Sequence, residues 1–384
     1  MKKTVKLFTS IPSHYRKPIW ALLLNNKETL YKFYYGTNSK SGIEYIDFNQ
    51  DVFEEVKDQL NPIKNLWHRS TYIWQIGVIS ESFRNDYSIA IFLGNMYCIS
   101  TWIASIICKL RGKKVVFWGH GLYGNEGKLK LFTRILFYKL ADYHLLYERR
   151  AKKLMTLRAF EPEKLYVVFN SLDYEKHIYL RKNCNKRQKS DVFNFFQNPT
   201  IPILIFIGRL TPQKKLEILI NAINTLNSDK INYNLLLIGA GSEEAKLKAL
   251  SEKGLENNWI HFYGDCYDEN VISQYLSLSD LCVSPGNVGL TAIHSLSYGT
   301  PVCTHSNMNN QMPEAEAIID GFNGFFFQEN SASSLADSIS NWFINNLDRN
   351  QIRENCYHII DKYYNPYYQL SVFSRLVRNE KPEI

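Results

Sequence analysis

The chain has 384 residues and 45% hydrophobic residues, enough apolar material for a core in each of two domains. Its seven cysteines form no C-x-x-C pair, which argues against a disulfide framework or a cysteine zinc site and favours a reducing cytoplasm. The net charge of +8 is uneven, since residues 1–190 hold 32 Lys+Arg against 16 Asp+Glu and the remainder holds 13 against 21, so we expect the first half to meet an anion.

Strand-like and helix-like segments alternate along the chain, a pattern that predicts α/β architecture with parallel sheets. The predicted strands of the first half are TVKLFTS, LYKFYYG, YSIAIFLG, KVVFWGHG, YHLLYE and LYVVFN. Those of the second half are IPILIFIGRL, YNLLLIGAG, WIHFYG, LCVSPG and TPVCTH. The N-terminus lacks an uninterrupted apolar segment, so we expect a first strand there and no secretory signal. Residues 88–108 are uncharged, but Gly94 and Asn95 divide them into a strand and a helix, which predicts a β-α-β unit and no membrane span.

The composition changes in the middle of the chain. Residues 181–190 contain five Lys or Arg and precede Pro199 and Pro202, which predicts a boundary between two domains. We therefore predict an N-terminal domain over 1–185 and a C-terminal domain over 195–364. Residues 365–384, where basic character returns after an acidic helix, are expected to pack back on the first domain.

Ligands of parallel α/β folds bind at the carboxyl ends of the strands, so motifs at those points are the first candidates. In IGRLTPQKK a buried strand ends at Gly208, and Arg209 and Lys214 follow as a planar fork and a point charge that suit a diphosphate. Surface cations at a helix start are the alternative interpretation. In LLLIGAGSEE a glutamate stands where a dinucleotide motif has its third glycine, so we interpret Gly239 and Gly241 as a tight turn.

The segment SPGNVGLTAIHSLSYGTPV, residues 284–302, also follows a predicted strand. Gly286 and Gly289 permit close approach of the backbone to a ligand, and the helix predicted for LTAIHSLSYG would direct its first N–H groups at an anion. A packed helix with a buried histidine explains the same residues without a ligand.

In chain order, the motifs GRLTPQK, LLLIGAG, IHFYGD, SPGNVGLTAIHSLSYGTPV and QMPEAEAIIDGFNGFFF resemble the C-terminal nucleotide-sugar domain of GT-B glycosyltransferases of family 4. Upstream, VVFWGHGLYG and LYVVFNSLD are similar to that family's histidine-bearing loop and its NGVD segment. The resemblance is strongest over 200–330 and recognisable over 115–173. It implies two Rossmann-like domains facing each other across a cleft, retaining transfer from a nucleotide diphosphate sugar, with UDP favoured over GDP, and neither a cofactor nor an obligatory metal ion. The sequence contains no D-x-D motif, which agrees with the expectation that no metal ion is obligatory.

The resemblance also implies roles for individual residues. Arg209 and Lys214 match the pair that neutralises the diphosphate as the leaving group departs. His120 matches the loop histidine near the sugar, where it either donates a hydrogen bond or transfers a proton. The implied donor-binding residues are Gly208, Gly286, Asn287, Val288, Gly289, Leu290, Thr291, His294, Glu314 and Glu316.

This sequence departs from the family pattern at two carboxylates. The family carries E-x₇-E, whereas Gly286 and His294 stand at those positions here. His294 can still form a hydrogen bond with a ribose hydroxyl, so nucleotide binding is retained in this interpretation. Asn287 and the backbone N–H groups from Val288 to Thr291 are then the candidates for contacting the sugar.

Two further observations concern residues outside that segment. Glu314 or Glu316 could supply the carboxylate that is missing at positions 286 and 294, although acidic residues are also favoured at helix starts. The glycine-rich N-terminal loop of the family is missing, and His14, Tyr15 and Arg16 occupy its place. We expect these three residues either to contact the acceptor or to lie in a solvent-exposed loop.

Residues 127–158 mix apolar side chains with basic ones, among them Lys128, Lys130, Arg134, Lys139, Arg149, Arg150, Lys152 and Lys153. A basic amphipathic stretch of this kind suits an anionic membrane surface, although a solvated helix has the same pattern. The basic first half favours the membrane, and no nucleic-acid partner is predicted.

Together these features predict a cytoplasmic glycosyltransferase, peripheral on the inner face of the cell membrane, that transfers a sugar to a lipid-linked or oligosaccharide acceptor. By resemblance, the setting is bacterial surface polysaccharide assembly. A sugar-nucleotide epimerase and a non-catalytic nucleotide- or glycan-binding subunit are the alternatives. The basic first half argues against the epimerase, and the retention of His120, Arg209 and Lys214 argues against the non-catalytic subunit.

Overall fold

The computed structural model describes residues 2–38, 44–184, 187–345 and 348–384. The strands are β1 Lys3–Thr9, β2 Thr29–Gly36, β3 Leu60–Ile63, β4 Asn65–His68, β5 Tyr72–Gln75, β6 Ile89–Leu93, β7 Lys114–Gly119, β8 Tyr143–Leu146, β9 Leu165–Val167, β10 Ile203–Ile207, β11 Asn234–Ile238, β12 Ile260–Gly264, β13 Leu281–Ser284, β14 Val302–His305 and β15 Gly324–Phe327. The α-helices are α1 Lys17–Leu24, α2 Val78–Ser82, α3 Ile99–Leu110, α4 Lys128–Tyr138, α5 Arg149–Thr156, α6 Tyr174–Cys184, α7 Lys189–Val192, α8 Leu216–Leu226, α9 Glu244–Leu250, α10 Glu252–Glu256, α11 Glu269–Leu278, α12 Thr291–Ser297, α13 Ala332–Asn345, α14 Arg349–Tyr363 and α15 Pro366–Arg378.

The chain divides into two compact units. Unit 1 contains Met1–Asp173 and Asn365–Ile384, and unit 2 contains Tyr174–Tyr364. The division therefore falls before α6, whereas the basic composition of residues 181–190 places the boundary after residue 185. Helix α6 packs on α11 and α12 inside unit 2, which explains why it does not belong to the first domain.

Unit 1 is built on a parallel sheet in the order β3-β2-β1-β6-β7-β8-β9. Apolar clusters cover both faces of this sheet, as expected for parallel strands that read as nearly continuous hydrophobic runs. Helix α15 closes one of these clusters, with the Phe373 ring 5.1 Å from that of Trp118. From β1 to β3 successive strands are added toward one edge of the sheet, and from β6 to β9 they are added toward the other edge. The loops after β1 and β6 therefore flank the switch point at which the strand order reverses.

Unit 2 is built on a second parallel sheet, in the order β12-β11-β10-β13-β14-β15. Its switch point lies between β10 and β13, which brings the loops after Ile207 and Ser284 side by side. The α/β class with parallel sheets is therefore confirmed, and each strand predicted from the sequence is present.

The structure adds four strands that the sequence pattern does not predict. Strands β4 and β5 form an antiparallel hairpin, whereas β3 and β15 extend the two parallel sheets. Residues 88–108 form β6 and α3, as predicted. Within the described ranges, no helix has both the length and the apolar composition that a bilayer span requires.

Candidate functional site

The loop after β10 is held in place by two glycines of the neighbouring loop after β11. A Cβ atom on Gly239 would lie 2.0 Å from the Gly208 carbonyl oxygen, and one on Gly241 would lie 2.2 Å from that of Leu210. Gly208 itself has a φ of 144°, which side chains rarely allow. The G-x-G pattern is thus a packing contact between two loops, and it fixes the position from which Arg209 projects.

Arg209 and Lys214 lie close enough in this loop for their charges to interact. Burial lowers the pKa of the Lys214 ammonium and the charge of Arg209 acts in the same direction, while Glu314 opposes both. Lys214 Nζ donates to the Asn287 carbonyl oxygen at 2.7 Å and to its Oδ1 at 3.0 Å. Arg209 is exposed, and its guanidinium makes no hydrogen bond or ion pair in the part of the chain that the structure describes. An anionic group bound here would relieve the repulsion between the two cations.

Gly286 does not provide a place for a missing carboxylate. A Cβ atom on this residue would lie 2.1 Å from the Gln213 carbonyl oxygen and 2.8 Å from the Lys214 Cα. Its own N–H donates to the Lys214 carbonyl oxygen at 3.0 Å. The Gly286 backbone therefore packs against the loop that carries Lys214, and the expected contact of Gly286 with the donor stays a prediction.

The next residues of this segment are fixed by a side-chain network from β14 and the loop that follows it. The Val288 N–H donates to Gln311 Oε1 at 3.0 Å, and Gln311 Nε2 donates to Thr304 Oγ1 at 2.8 Å. Thr304 Oγ1 in turn donates to the Ser284 carbonyl oxygen at 2.8 Å. The Val288 N–H therefore has a partner inside unit 2, and the expected contact of Val288 with a sugar stays a prediction.

Helix α12 begins directly beside the end of β10. Gly289 has a φ of 53°, and Leu290 is the N-cap residue. The hydroxyl of Thr291 donates to the Ile207 carbonyl oxygen at 3.1 Å and so ties the helix start to β10. The first N–H groups of a helix have no partner within it, so Gly289 to Thr291 remain candidates for contact with a ligand.

His294 forms part of a cluster that sequence patterns do not reveal. Its Nε2 lies 2.7 Å from Glu269 Oε1, and the Tyr298 hydroxyl donates to the same oxygen at 2.6 Å. His177 from α6 stacks on His294 with ring centroids 5.3 Å apart and places its Nε2 3.4 Å from that oxygen. The predicted ribose partner thus has one ring nitrogen engaged by a carboxylate from α11.

The electrostatics of this cluster stabilise an ionised carboxylate. Burial alone raises the pKa of Glu269, but the charge of His294 and the hydrogen bonds from His177 and His294 outweigh it and hold the pKa well below its usual range. One ligand atom from each of these three residues lies within 4.8 Å of the others, so they could share a metal ion. Imidazole and carboxylate donors are a set that zinc accepts.

Glu314 and Glu316 lie on one short turn after the Gln311 network, in residues Pro313–Ala317. Glu314 is buried, and its charge acts on Lys214, whereas Glu316 is half-buried. Of the two candidates, the structure therefore brings Glu314 to the cation pair.

His120 directly follows β7 in unit 1, on a loop whose fold depends on a buried carboxylate. Glu126 accepts hydrogen bonds from the N–H groups of Tyr123 and Gly124, both at 2.8 Å. The same carboxylate lies 3.4 Å from the Nε of Arg134, which is buried on α4. Sequence analysis assigned Arg134 to a membrane-facing surface, and the structure corrects this assignment.

The three candidate acceptor residues differ in their surroundings. His14 is largely exposed, with its Nδ1 4.0 Å from a carboxylate oxygen of Glu44. Arg16 donates a hydrogen bond to the Tyr147 hydroxyl, and its guanidinium lies 5.5 Å from the Tyr15 ring centroid. The Tyr147 ring lies 4.9 Å from that of His120, so Arg16 and His120 lie near each other and His14 is turned to solvent.

The two Rossmann-like units define a GT-B fold, because solved GT-B glycosyltransferases superimpose on almost the whole chain. The lipopolysaccharide outer core galactosyltransferase WaaB, in its apo form, has a TM-score of 0.68 at 14% identity, covering 98% of this chain and 99% of its own. Anabaena HepE in complex with UDP has a TM-score of 0.67 at 16% identity, covering 98% of this chain and 100% of its own.

Within this fold class, residues 188–359 match the family model "Glycosyl transferases group 1", and all of them lie in unit 2. An uncharacterized glycosyltransferase of Methanocaldococcus jannaschii is 25% identical over 235 residues, which make up 60% of this chain and 56% of that protein. The chain thus spans about half the length of this curated relative.

Proposed function

We propose that the protein is a retaining glycosyltransferase that transfers a sugar from a UDP-sugar to a lipid-linked or oligosaccharide acceptor in bacterial surface polysaccharide assembly. The observation that carries the proposal is the interacting pair Arg209 and Lys214 at the switch point of unit 2. The family-model match over the same unit supports it. HepE, a structural neighbour, is known in complex with UDP-glucose, which supports a UDP-sugar as the donor.

The cation pair suits the departure of a nucleoside diphosphate. Negative charge develops on the diphosphate as the glycosidic bond breaks, and preorganised cations stabilise that charge most in a partly buried site. Lys214 is held by Asn287, whereas Arg209 is free to turn its planar fork to two phosphate oxygens. No metal ion is required in this proposal, because the two side chains supply the positive charge.

His294 is proposed to bind a ribose hydroxyl in spite of its contact with Glu269. When Nε2–H donates to the carboxylate, the orientation of the ring is fixed and Nδ1 remains to form a hydrogen bond with a ribose hydroxyl. Glu269 would then act through the His294 imidazole, in place of the carboxylate that the family pattern has at position 294. His120, beside Arg16 in unit 1, is proposed to contact the transferred sugar.

Calorimetric titration with UDP and GDP tests the nucleotide site. We expect Arg209→Ala and Lys214→Ala each to weaken UDP binding by roughly tenfold or more, because each removes a charged donor. Turnover should fall by about 10²- to 10³-fold in each variant. Lys253→Ala, an exposed cation on α10, is the matched control and should bind UDP as the wild type does. UDP binding that is absent in the wild type or indifferent to Arg209→Ala contradicts the proposal.

Product analysis separates the proposed transfer from the alternatives. A transferase releases UDP in proportion to a glycosylated acceptor, and the anomeric configuration of that product, read by proton NMR, reports retention. Conversion of the nucleotide sugar to its epimer without an acceptor would instead identify an epimerase. Binding of UDP with no product in either assay would identify a non-catalytic subunit.

A membrane surface is proposed as a further partner of unit 1. Helices α3 and α4 touch through the rings of Trp102 and Phe137, 5.0 Å apart. Each helix exposes a row of large apolar side chains: Ile99, Ile103, Ile106 and Leu110 on α3, and Leu129, Phe132 and Leu136 on α4. Exposed basic residues border these rows: Lys109, Arg111, Lys128, Lys130 and Lys139. An apolar surface with a cationic rim suits an anionic bilayer.

Flotation with liposomes tests this surface. The wild type should float with anionic liposomes at low salt and less at high salt, and Leu129→Ser with Phe132→Ser should weaken this association. Ile344→Ser, an exposed apolar residue of α13 in unit 2, is the control. Equal flotation of the double variant and the wild type would exclude α4 as the contact.

A further inference from the structure

The carboxyl edge of the unit 1 sheet holds a guanidinium with no carboxylate partner. Arg16 stands between β1 and α1, and its guanidinium lies 4.5 Å from the ring centroid of Trp118 and 5.3 Å from that of Tyr147. Its Nε is buried and makes no hydrogen bond. Among the described residues no Asp or Glu forms an ion pair with Arg16. Aromatic rings surround its guanidinium, and the hydroxyls of Tyr147 and Tyr15 both act on its charge.

A second unsatisfied atom lies beside this guanidinium. His120 Nδ1 is buried without a hydrogen-bond partner, and the His120 ring lies 4.9 Å from that of Tyr147, the residue to which Arg16 donates. Burial lowers the pKa of His120 to about 4, and the charges of Arg16 and Arg134 act in the same direction. His120 is therefore a neutral imidazole at physiological pH, and it adds a hydrogen-bonding group without adding charge.

Arg16 has no carboxylate partner among the described residues, whereas Arg134, whose charge also acts on His120, faces the buried carboxylate of Glu126. A desolvated charge without a partner is costly, and buried polar atoms without hydrogen bonds are uncommon in folded proteins. Arg16 is only half-buried, so part of its side chain is open to a ligand although its Nε is buried.

We propose that Arg16 and His120 bind an oxyanion, a carboxylate or phosphate group carried by a sugar-bearing substrate. The guanidinium fork matches two oxygens of such a group, and the neutral imidazole can donate a third hydrogen bond. The loops after β1, β7 and β8 supply Arg16, His120 and Tyr147 at one edge of a parallel sheet, which is where such folds bind ligands. The assignment of this oxyanion to a substrate rests on the proposed function, whereas the binding of an anion does not.

Thermal unfolding in increasing D-glucuronate or inorganic phosphate, at constant ionic strength, tests the site, with D-glucose as the neutral analogue. We expect one or both anions to raise the unfolding temperature of the wild type and glucose to leave it unchanged. A response to glucuronate alone identifies a carboxylated sugar, and a response to phosphate alone identifies a phosphorylated substrate.

Arg16→Gln should raise the half-saturating anion concentration by about tenfold or more, because it removes a charged donor. His120→Asn should weaken the response to the anion less than Arg16→Gln does. It is the test variant if Arg16→Gln fails to fold. Arg158→Gln, an exposed arginine of the same unit, is the control and should respond as the wild type does. The absence of a response to both anions, or an unchanged response in Arg16→Gln, overturns the proposal.

A UDP titration of the wild type keeps the two proposals separate. If UDP binds and neither anion does, the proposal of an anion site is wrong and the proposed function stands. If an anion binds at Arg16 and UDP does not, the proposed function is wrong and the anion site stands.

Discussion

Glu269 accepts hydrogen bonds from Tyr298 and His294 at one carboxylate oxygen, with His177 close to the same atom. Sequence analysis selects His294 as a candidate partner of the ribose, but it gives no reason to pair His294 with Glu269. The two residues are 25 positions apart, and a lone acidic residue at a helix start is common on energetic grounds alone. Only the packing of α6, α11 and α12 brings the three side chains together.

We predict that Glu269→Gln lowers the free energy of unfolding at about pH 7 by roughly 1.5–3 kcal/mol, the contribution of a charged hydrogen bond. Because the pKa of the native carboxyl lies below its unfolded value of about 4.3, this stabilisation is present above that pH and is lost as the pH falls through the native pKa. Urea unfolding of both proteins at about pH 7 and about pH 4 should therefore show a smaller difference at the acidic pH.

Glu244→Gln is the control for this prediction. Its carboxylate lies on the surface of α9, 2.7 Å from Lys248, in a pair that contributes at most about 1 kcal/mol. A loss in Glu269→Gln no larger than in this control, or a difference that grows on acidification, would show that the cluster does not stabilise the carboxylate.

At the scale of elements, the sequence predicts the buried strands well and the irregular ones poorly. Apolar runs such as ILIFI and NLLLI are bounded by turn residues, so length and composition identify them as strands. Strand β15 has four residues, and β3 contains a proline, which weakens the signal in both. Sequence analysis identifies Gly286 in SPGNVG as a point of close backbone approach, and the backbone of Gln213 and Lys214 lies there. A contact of Gly286 with a ligand stays a prediction.

Gly286→Ala should therefore destabilise unit 2 and weaken UDP binding. The added Cβ would lie 2.1 Å from the backbone of Gln213, so the loop that carries Lys214 must shift, at a cost of about 1–3 kcal/mol. Calorimetry and thermal unfolding of the same preparation measure both effects. Gly286→Glu should be at least as harmful, since the position has no room to restore a carboxylate.

Gly127→Ala provides the comparison for that substitution. Gly127 has a φ of −63°, and no atom lies within 4 Å of a Cβ placed on it. Because Gly127 is the N-cap of α4, where alanine is less favourable than glycine, this variant should cost up to about 1 kcal/mol and bind UDP as the wild type does. Normal UDP affinity in Gly286→Ala would contradict the role of this glycine in positioning Lys214.

At the scale of the whole molecule, the alternation of strands and helices is enough to predict two α/β units, because parallel strands need helical crossovers. The exact division is not predictable in the same way. Basic composition marks residues 181–190 as a boundary, but α6 joins unit 2 through contacts with helices about a hundred residues further along the chain. Local composition carries no information on such contacts.

The assignment of residues Asn365–Ile384 to unit 1 makes a further prediction about stability. Phe373 on α15 is fully buried against the sheet, in contact with Trp118, so Phe373→Ala should cost about 3–5 kcal/mol of the unfolding free energy of unit 1. Tyr367→Ala, on the exposed side of the same helix, should cost less than about 1 kcal/mol.

Calorimetry can separate the two units in this experiment, because UDP is proposed to bind unit 2. In Phe373→Ala the transition that UDP does not stabilise should move to lower temperature, while the UDP-dependent transition should stay close to its wild-type position. A shift confined to the UDP-dependent transition would contradict the assignment of α15 to unit 1. Because α15 follows unit 2 in the sequence, the core of unit 1 is completed only when residues Asn365–Ile384 have folded back onto it.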